Sequence, residues 1–95
     1  MNKEYEVRFV EQIRKDNDGK LSRSGEIQGG DDHFIKSFKT EKAALKYGKK
    51  KSFQKTFMKG NKKVHEVYIR CRDEEEDTVE NWYIKNGKVT HHDKG

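Results

Sequence analysis

Ninety-five residues suffice for one hydrophobic core and leave little room for a second, so the chain is read as a single domain over 1–95. Charged residues make up 41% and hydrophobic residues 29%, with no run of the roughly 20 apolar residues that a membrane-crossing helix needs and no apolar stretch of a signal peptide near the start. The expectation is a soluble, cytoplasmic protein with no membrane partner, and the single cysteine, Cys71, excludes an internal disulfide and a cysteine-rich zinc site.

Residues 4–13 open with a strand in which Tyr5, Val7 and Phe9 share one face and Glu6 and Arg8 the other. The alternation slips after Phe9, where Val10 is adjacent and Ile13 returns in phase, as a bulge or a half-covered second face would produce. Asp16-Asn17-Asp18-Gly19 is a strong turn signal and predicts a hairpin into residues 20–28. That return strand has only Leu21 and Ile27 as apolar anchors, and Gly29-Gly30-Asp31-Asp32 is expected to break it, so residues 22–32 are read as flexible along with the termini, 1–3 and 91–95.

Residues 33–38 read as a short extended piece. Thr40 is a candidate N-cap and Glu41 a favourable first-turn carboxylate, so a helix begins there, with Ala43, Ala44, Tyr47 and Lys51 on its inner face. Phe53 and Phe57 form an i,i+4 pair whose phase does not join that face across Gly48. The helix either bends near residues 48–52 or ends there, ahead of a second short turn.

His65, Val67, Ile69 and Cys71 then alternate with Glu66, Tyr68, Arg70 and Arg72 in a strand whose first set faces the core. The run Asp73, Glu74, Glu75, Glu76 and Asp77 is an exposed connection. Residues 79–84 form another strand with Trp82 and Ile84 in register, Asn86-Gly87 is a two-residue turn signal, and Val89 carries a last strand back. The fold class expected is α+β: a two-layer domain with an antiparallel sheet and one principal helix, in approximate order ββαβββ.

The net charge of +5 is unevenly spread, since residues 36–63 hold eleven lysines against one acidic residue, Glu41. Lysine ammonium groups suit nondirectional phosphate contact, so the favoured expectation is a non-catalytic protein that binds the nucleic-acid backbone, DNA or RNA, through a lysine-rich helical segment. Lys46, Lys49, Lys50, Lys55 and Lys59 are the primary candidates. Arg70 and Arg72, which share a strand face with Tyr68, are secondary ones. The helix offers lysines and a single Gln54 rather than paired donors and acceptors for base edges, which argues for backbone contact over a sequence code.

The alternative expectation is a small regulatory or inhibitory module that binds a protein, an acidic surface or a nucleic-acid enzyme, through Tyr68 and the acidic residues Asp73, Glu74, Glu75, Glu76 and Asp77. No cofactor and no metal are expected. The calcium-loop look of residues 16–22 lacks its final carboxylate, and His91-His92-Asp93 does not make a closed site. Enzyme activity is not expected, because His65 and Cys71 are too far apart along one strand to act as a base and nucleophile pair.

Overall fold

A computed structural model describes residues 3–94. Six antiparallel strands and one helix follow one another as β1 (Glu4–Lys15), β2 (Glu26–Phe38), α1 (Glu41–Lys51), β3 (Thr56–Phe57), β4 (Lys62–Arg72), β5 (Thr78–Lys85) and β6 (Lys88–Lys94). The class is α+β, mostly sheet. The order differs from the expected ββαβββ by β3, a two-residue strand that pairs with the start of β4.

Spatially the strands lie in the order β2-β1-β4-β5-β6. The alternation legible in β1 and β4 becomes the division between two sheet faces, because register pairs Val7 with Ile69 and Phe9 with Val67, while Glu6 meets Arg70 and Arg8 meets Tyr68. Val7, Phe9, Val67, Ile69, Cys71, Trp82 and Ile84 are buried on the helix side, and Ala44 of α1 closes over them. Burial raises the Cys71 thiol above its ordinary pKa, as befits a structural cysteine.

α1 starts where expected: Thr40 is extended, and its hydroxyl accepts a hydrogen bond from the Ala43 amide at 3.2 Å. Gly48 is not a bend. It is the point of closest approach to the sheet, where an added Cβ would lie 2.9 Å from Ile84 Cδ1 and 3.1 Å from Ile69 Cδ1. The helix continues to Lys51 and stops at Ser52, whose amide donates to the Gly48 carbonyl. Phe53 and Phe57 therefore do not form a helical pair. Phe57 enters β3 and packs on Phe9 with ring centroids 4.6 Å apart, whereas Phe53 stands 65% exposed.

Three other expectations are corrected. Gly29-Gly30-Asp31-Asp32 does not break the chain but runs through the middle of β2, where Val10↔Asp32 is followed by Gln12↔Gly29 and the extra β2 residue is absorbed as a bulge. Leu21 and Ile27 anchor nothing, being 75% and 49% exposed, because past Glu11 β1 no longer pairs with β4 and the β1–β2 hairpin continues as a two-stranded arm. His91 to Lys94, expected as a flexible end, pair with Tyr83 to Glu80 as the last part of β6. Of the other terminal positions in that expectation, Lys3 precedes β1 without regular structure, and Met1, Asn2 and Gly95 lie outside the described residues.

Among the described residues no helix is long and apolar enough to cross a membrane.

Candidate nucleic-acid interface

The inner face of α1 is set by Ala44 and Gly48, so Lys42, Lys46, Lys49 and Lys50, spaced i, i+4, i+7 and i+8, form one exposed stripe on the outer side. Lys49, Lys50 and Lys51 occupy the last turn, where cations are favoured by the free carbonyls and the helix dipole. That preference accounts for having lysines there. It does not account for their being left without carboxylate partners.

Four of the eleven lysines in residues 36–63 are taken up by the protein itself. Lys36 and Lys51 lie over the Tyr47 ring at 5.5 and 5.3 Å from its centroid, Lys39 pairs with Glu4 at 3.0 Å, and Lys62 reaches Glu11 at 3.5 Å. Among the described residues, Lys42, Lys46, Lys49, Lys50, Lys55, Lys59 and Lys63 form no salt bridge. The sequence reading puts Lys55 and Lys59 on the helical segment. They stand beyond it instead, Lys55 next to β3 and Lys59 in the left-handed turn of Met58, Lys59 and Gly60 that leads to β4.

Arg70 and Arg72 are placed elsewhere. They project from the sheet face opposite α1 and converge on Glu6, which is 5% exposed. Arg70 donates to Glu6 Oε1 from Nη2 at 2.9 Å and from Nε at 3.2 Å, Arg72 Nη1 donates to Oε2 at 2.7 Å, and Arg8 Nη1 adds a third guanidinium at 3.0 Å. Burial alone would raise the Glu6 carboxyl, but the hydrogen bonds and charges of Arg70 and Arg72 outweigh it and hold the pKa below the usual carboxylate value. Arg8 also binds Asp32 at 2.9 Å, so the three guanidinium groups share the buried Glu6, and Arg8 has a further, exposed carboxylate in Asp32.

The same face carries a row that crosses all five long strands in direct register: Phe34, Arg8, Tyr68, Tyr83 and His91. Tyr68 and Tyr83 stack with centroids 5.7 Å apart, and the His91 ring lies tilted against Tyr83 at 5.6 Å. The Tyr68 hydroxyl is pushed up to about 12 by burial and by its hydrogen bond to, and the charge of, Asp32. Sequence reading found Arg70, Arg72 and Tyr68 but missed Glu6 as their hub. The signal present was the polar alternation of Glu6 and Arg8 in β1.

The acidic connection is a closed turn. Asp73 Oδ1 accepts from the amides of Glu75 and Asp77, and the Asp73 amide donates to the Asp77 carbonyl. Glu76 reaches back to Arg72 at 3.1 Å. The broad concavity beside it, about 660 Å³, is lined by Lys3, Lys39 and Arg72 as well as by Glu4, Asp73, Glu74 and Glu76, so no one sign of charge dominates there.

No protein-family model matches the chain, and no curated protein or solved structure is significantly similar to it.

Proposed function

We propose that this chain is a non-catalytic nucleic-acid-associated protein that holds the phosphate backbone through the lysines on and just after α1: Lys42, Lys46, Lys49, Lys50, Lys55 and Lys59. One observation carries this reading. Among the described residues, the ion pairs of the arginines and lysines engage Arg8, Arg70, Arg72, Lys39 and Lys62, whereas Lys42, Lys46, Lys49, Lys50, Lys55 and Lys59 form none and stand exposed to solvent.

Such a field attracts polyanions and releases their counterions on contact, with roughly one unit of charge per phosphate neutralised. Arg70 and Arg72 are left out of the contact set, since Glu6 holds both guanidinium groups on the far side of the sheet. For four or five phosphate contacts the logarithm of the binding constant should fall with the logarithm of salt concentration at a slope of roughly −3 to −5.

The test is fluorescence anisotropy with unrelated DNA and RNA oligonucleotides over a salt series. Binding at low salt that weakens steeply as salt rises is expected. Failure to bind any of them at low salt rules the reading out.

A further inference from the structure

The unpaired lysines do not end with α1. Ser52, the helix C-cap, accepts a hydrogen bond from the Gly87 amide through Oγ at 2.7 Å, and the same hydroxyl donates to the Lys49 carbonyl at 2.7 Å. This link docks the β5–β6 turn against the last helical turn. It brings Lys85 and Lys88 to the end of the molecule that already carries Lys49, Lys50 and Lys55.

Lys85 and Lys88 face each other directly across Asn86-Gly87. Like charges opposed in an antiparallel pair are destabilising, and among the described residues neither lysine has a carboxylate partner. The fold thus sustains an electrostatic conflict at this spot, which a bound anion would relieve.

Phe53 lines one cleft with two of these cations, Lys55 and Lys85. The tip of its ring lies over Gly87, where a Cβ would come within 2.5 Å of Cζ. Gly87 also has φ of 80°, so both the left-handed turn and the seat of the ring require glycine. Phe53 is nonetheless 65% exposed, at the lip of a cleft of about 180 Å³ bordered by Ser52, Lys55, Val64, Lys85 and Asn86. Glu66 is the acidic side chain in that lining, and it belongs to β4.

An exposed aromatic ring held in place by a docked turn, with Lys55 and Lys85 in the same cleft and neither of them in a salt bridge among the described residues, has the elements of a single-strand site: a π-face for an unstacked base and cations for the neighbouring phosphates. Duplex DNA or RNA presents the phosphates but keeps its bases stacked and out of reach. We propose that Phe53 takes one unpaired base of a single-stranded nucleic acid, with Lys55 and Lys85 of the same cleft contacting the adjacent phosphates and Lys49, Lys50 and Lys88 extending the cationic path along the strand. This selectivity rests on the phosphate-binding reading above and adds to it.

The experiment compares the full chain with Phe53→Ala, Phe53→Trp and Lys85→Glu/Lys88→Glu, using labelled oligothymidylate and a duplex of equal phosphate count at low salt. Phe53→Ala should weaken single-strand binding about tenfold, within the range for loss of one aromatic stacking partner, and leave the duplex within about twofold. Phe53→Trp should retain the affinity, and because Trp82 is buried the added exposed indole should be quenched when the single strand binds. Lys85→Glu/Lys88→Glu should weaken both ligands.

If Phe53→Ala binds oligothymidylate like the parent, or loses equal affinity for both ligands, the stacking inference falls alone while phosphate binding stands. If the parent binds neither ligand, both fall.

Discussion

The molecule has two cationic regions, on opposite sides of one sheet, and the fold treats them differently. On the open face Arg8, Arg70 and Arg72 surround a buried carboxylate at 2.7 to 3.0 Å. On and beyond α1, Lys42, Lys46, Lys49, Lys50, Lys55 and Lys59 have no acidic neighbour within ion-pairing distance among the described residues. Formal charge is thus a poor guide to available charge. The planar arginine forks are used in a hydrogen-bonded internal network, where their fixed geometry is an advantage, and the flexible lysines are left for solvent or a ligand.

Breaking the arginine side should have the larger effect on stability. Glu6→Gln leaves three guanidinium groups around a neutral amide, and the expected loss is roughly 3 kcal/mol, the scale for removing one partner of a desolvated ion cluster. Urea unfolding at neutral pH with an unchanged m-value checks it. The same variant sharpens the pH behaviour. Because the folded carboxyl is held below its ordinary value of 4.5, its contribution is fully present above that pH and is lost as pH falls through the lower folded value. The parent should lose stability on acidification in that window, and Glu6→Gln should lose less.

Reversing charge on the lysine side should instead affect binding. Lys49→Glu/Lys50→Glu is expected to weaken nucleic-acid affinity at least about tenfold at low salt, while stability changes by only about 0.5 kcal/mol, as for exposed substitutions generally. Anisotropy and thermal unfolding on the same preparation separate the two effects. A variant that unfolds instead would show that these lysines, too, are structural.

The smallest effect concerns the aromatic row. Tyr68→Phe removes the hydroxyl bonded to Asp32 and should cost about 1 kcal/mol. With its folded pKa raised to about 12 from 10.0, Tyr68 favours the folded state fully below pH 10 and withdraws that support as pH rises from 10 to about 12. Stability measured across that range should fall in the parent and fall less in Tyr68→Phe. Burial raises Tyr5 as well, so an ultraviolet titration should show one fewer late-ionising tyrosine in Tyr68→Phe than in the parent.

Much of the frame is legible in the residue order. The alternation of Val67, Ile69 and Cys71 with Tyr68, Arg70 and Arg72 gives both faces of β4, Thr40 gives the helix start, and Asn86-Gly87 gives the last turn. What is not legible depends on partners distant in sequence. β2 survives Gly29-Gly30 because β1 supplies its hydrogen bonds, not because its own residues favour a strand. Gly48 looks like a helix breaker until Ile69 and Ile84 are seen beneath it.

The candidate site follows the same division. The helical spacing places Lys42, Lys46, Lys49 and Lys50 together, but it does not reveal that Lys55 and Lys59 fall past the helix end. It also does not show that Arg70 and Arg72 are claimed by a glutamate 64 and 66 residues away. Phe53, read as half of a helical pair, becomes an exposed ring only because the helix stops at Ser52 and the β5–β6 turn docks there.

The claim that only the lysine side is open to a polyanion is tested most directly by salt slopes for single-strand binding in two neutralised variants. Lys49→Gln/Lys50→Gln should make the slope shallower by about 1.4, roughly 0.7 for each phosphate of a single strand that goes unneutralised, whereas Arg70→Gln/Arg72→Gln, studied where circular dichroism shows it folded, should run parallel to the parent. A shallower slope in the arginine variant, with the lysine variant unchanged, would contradict the account.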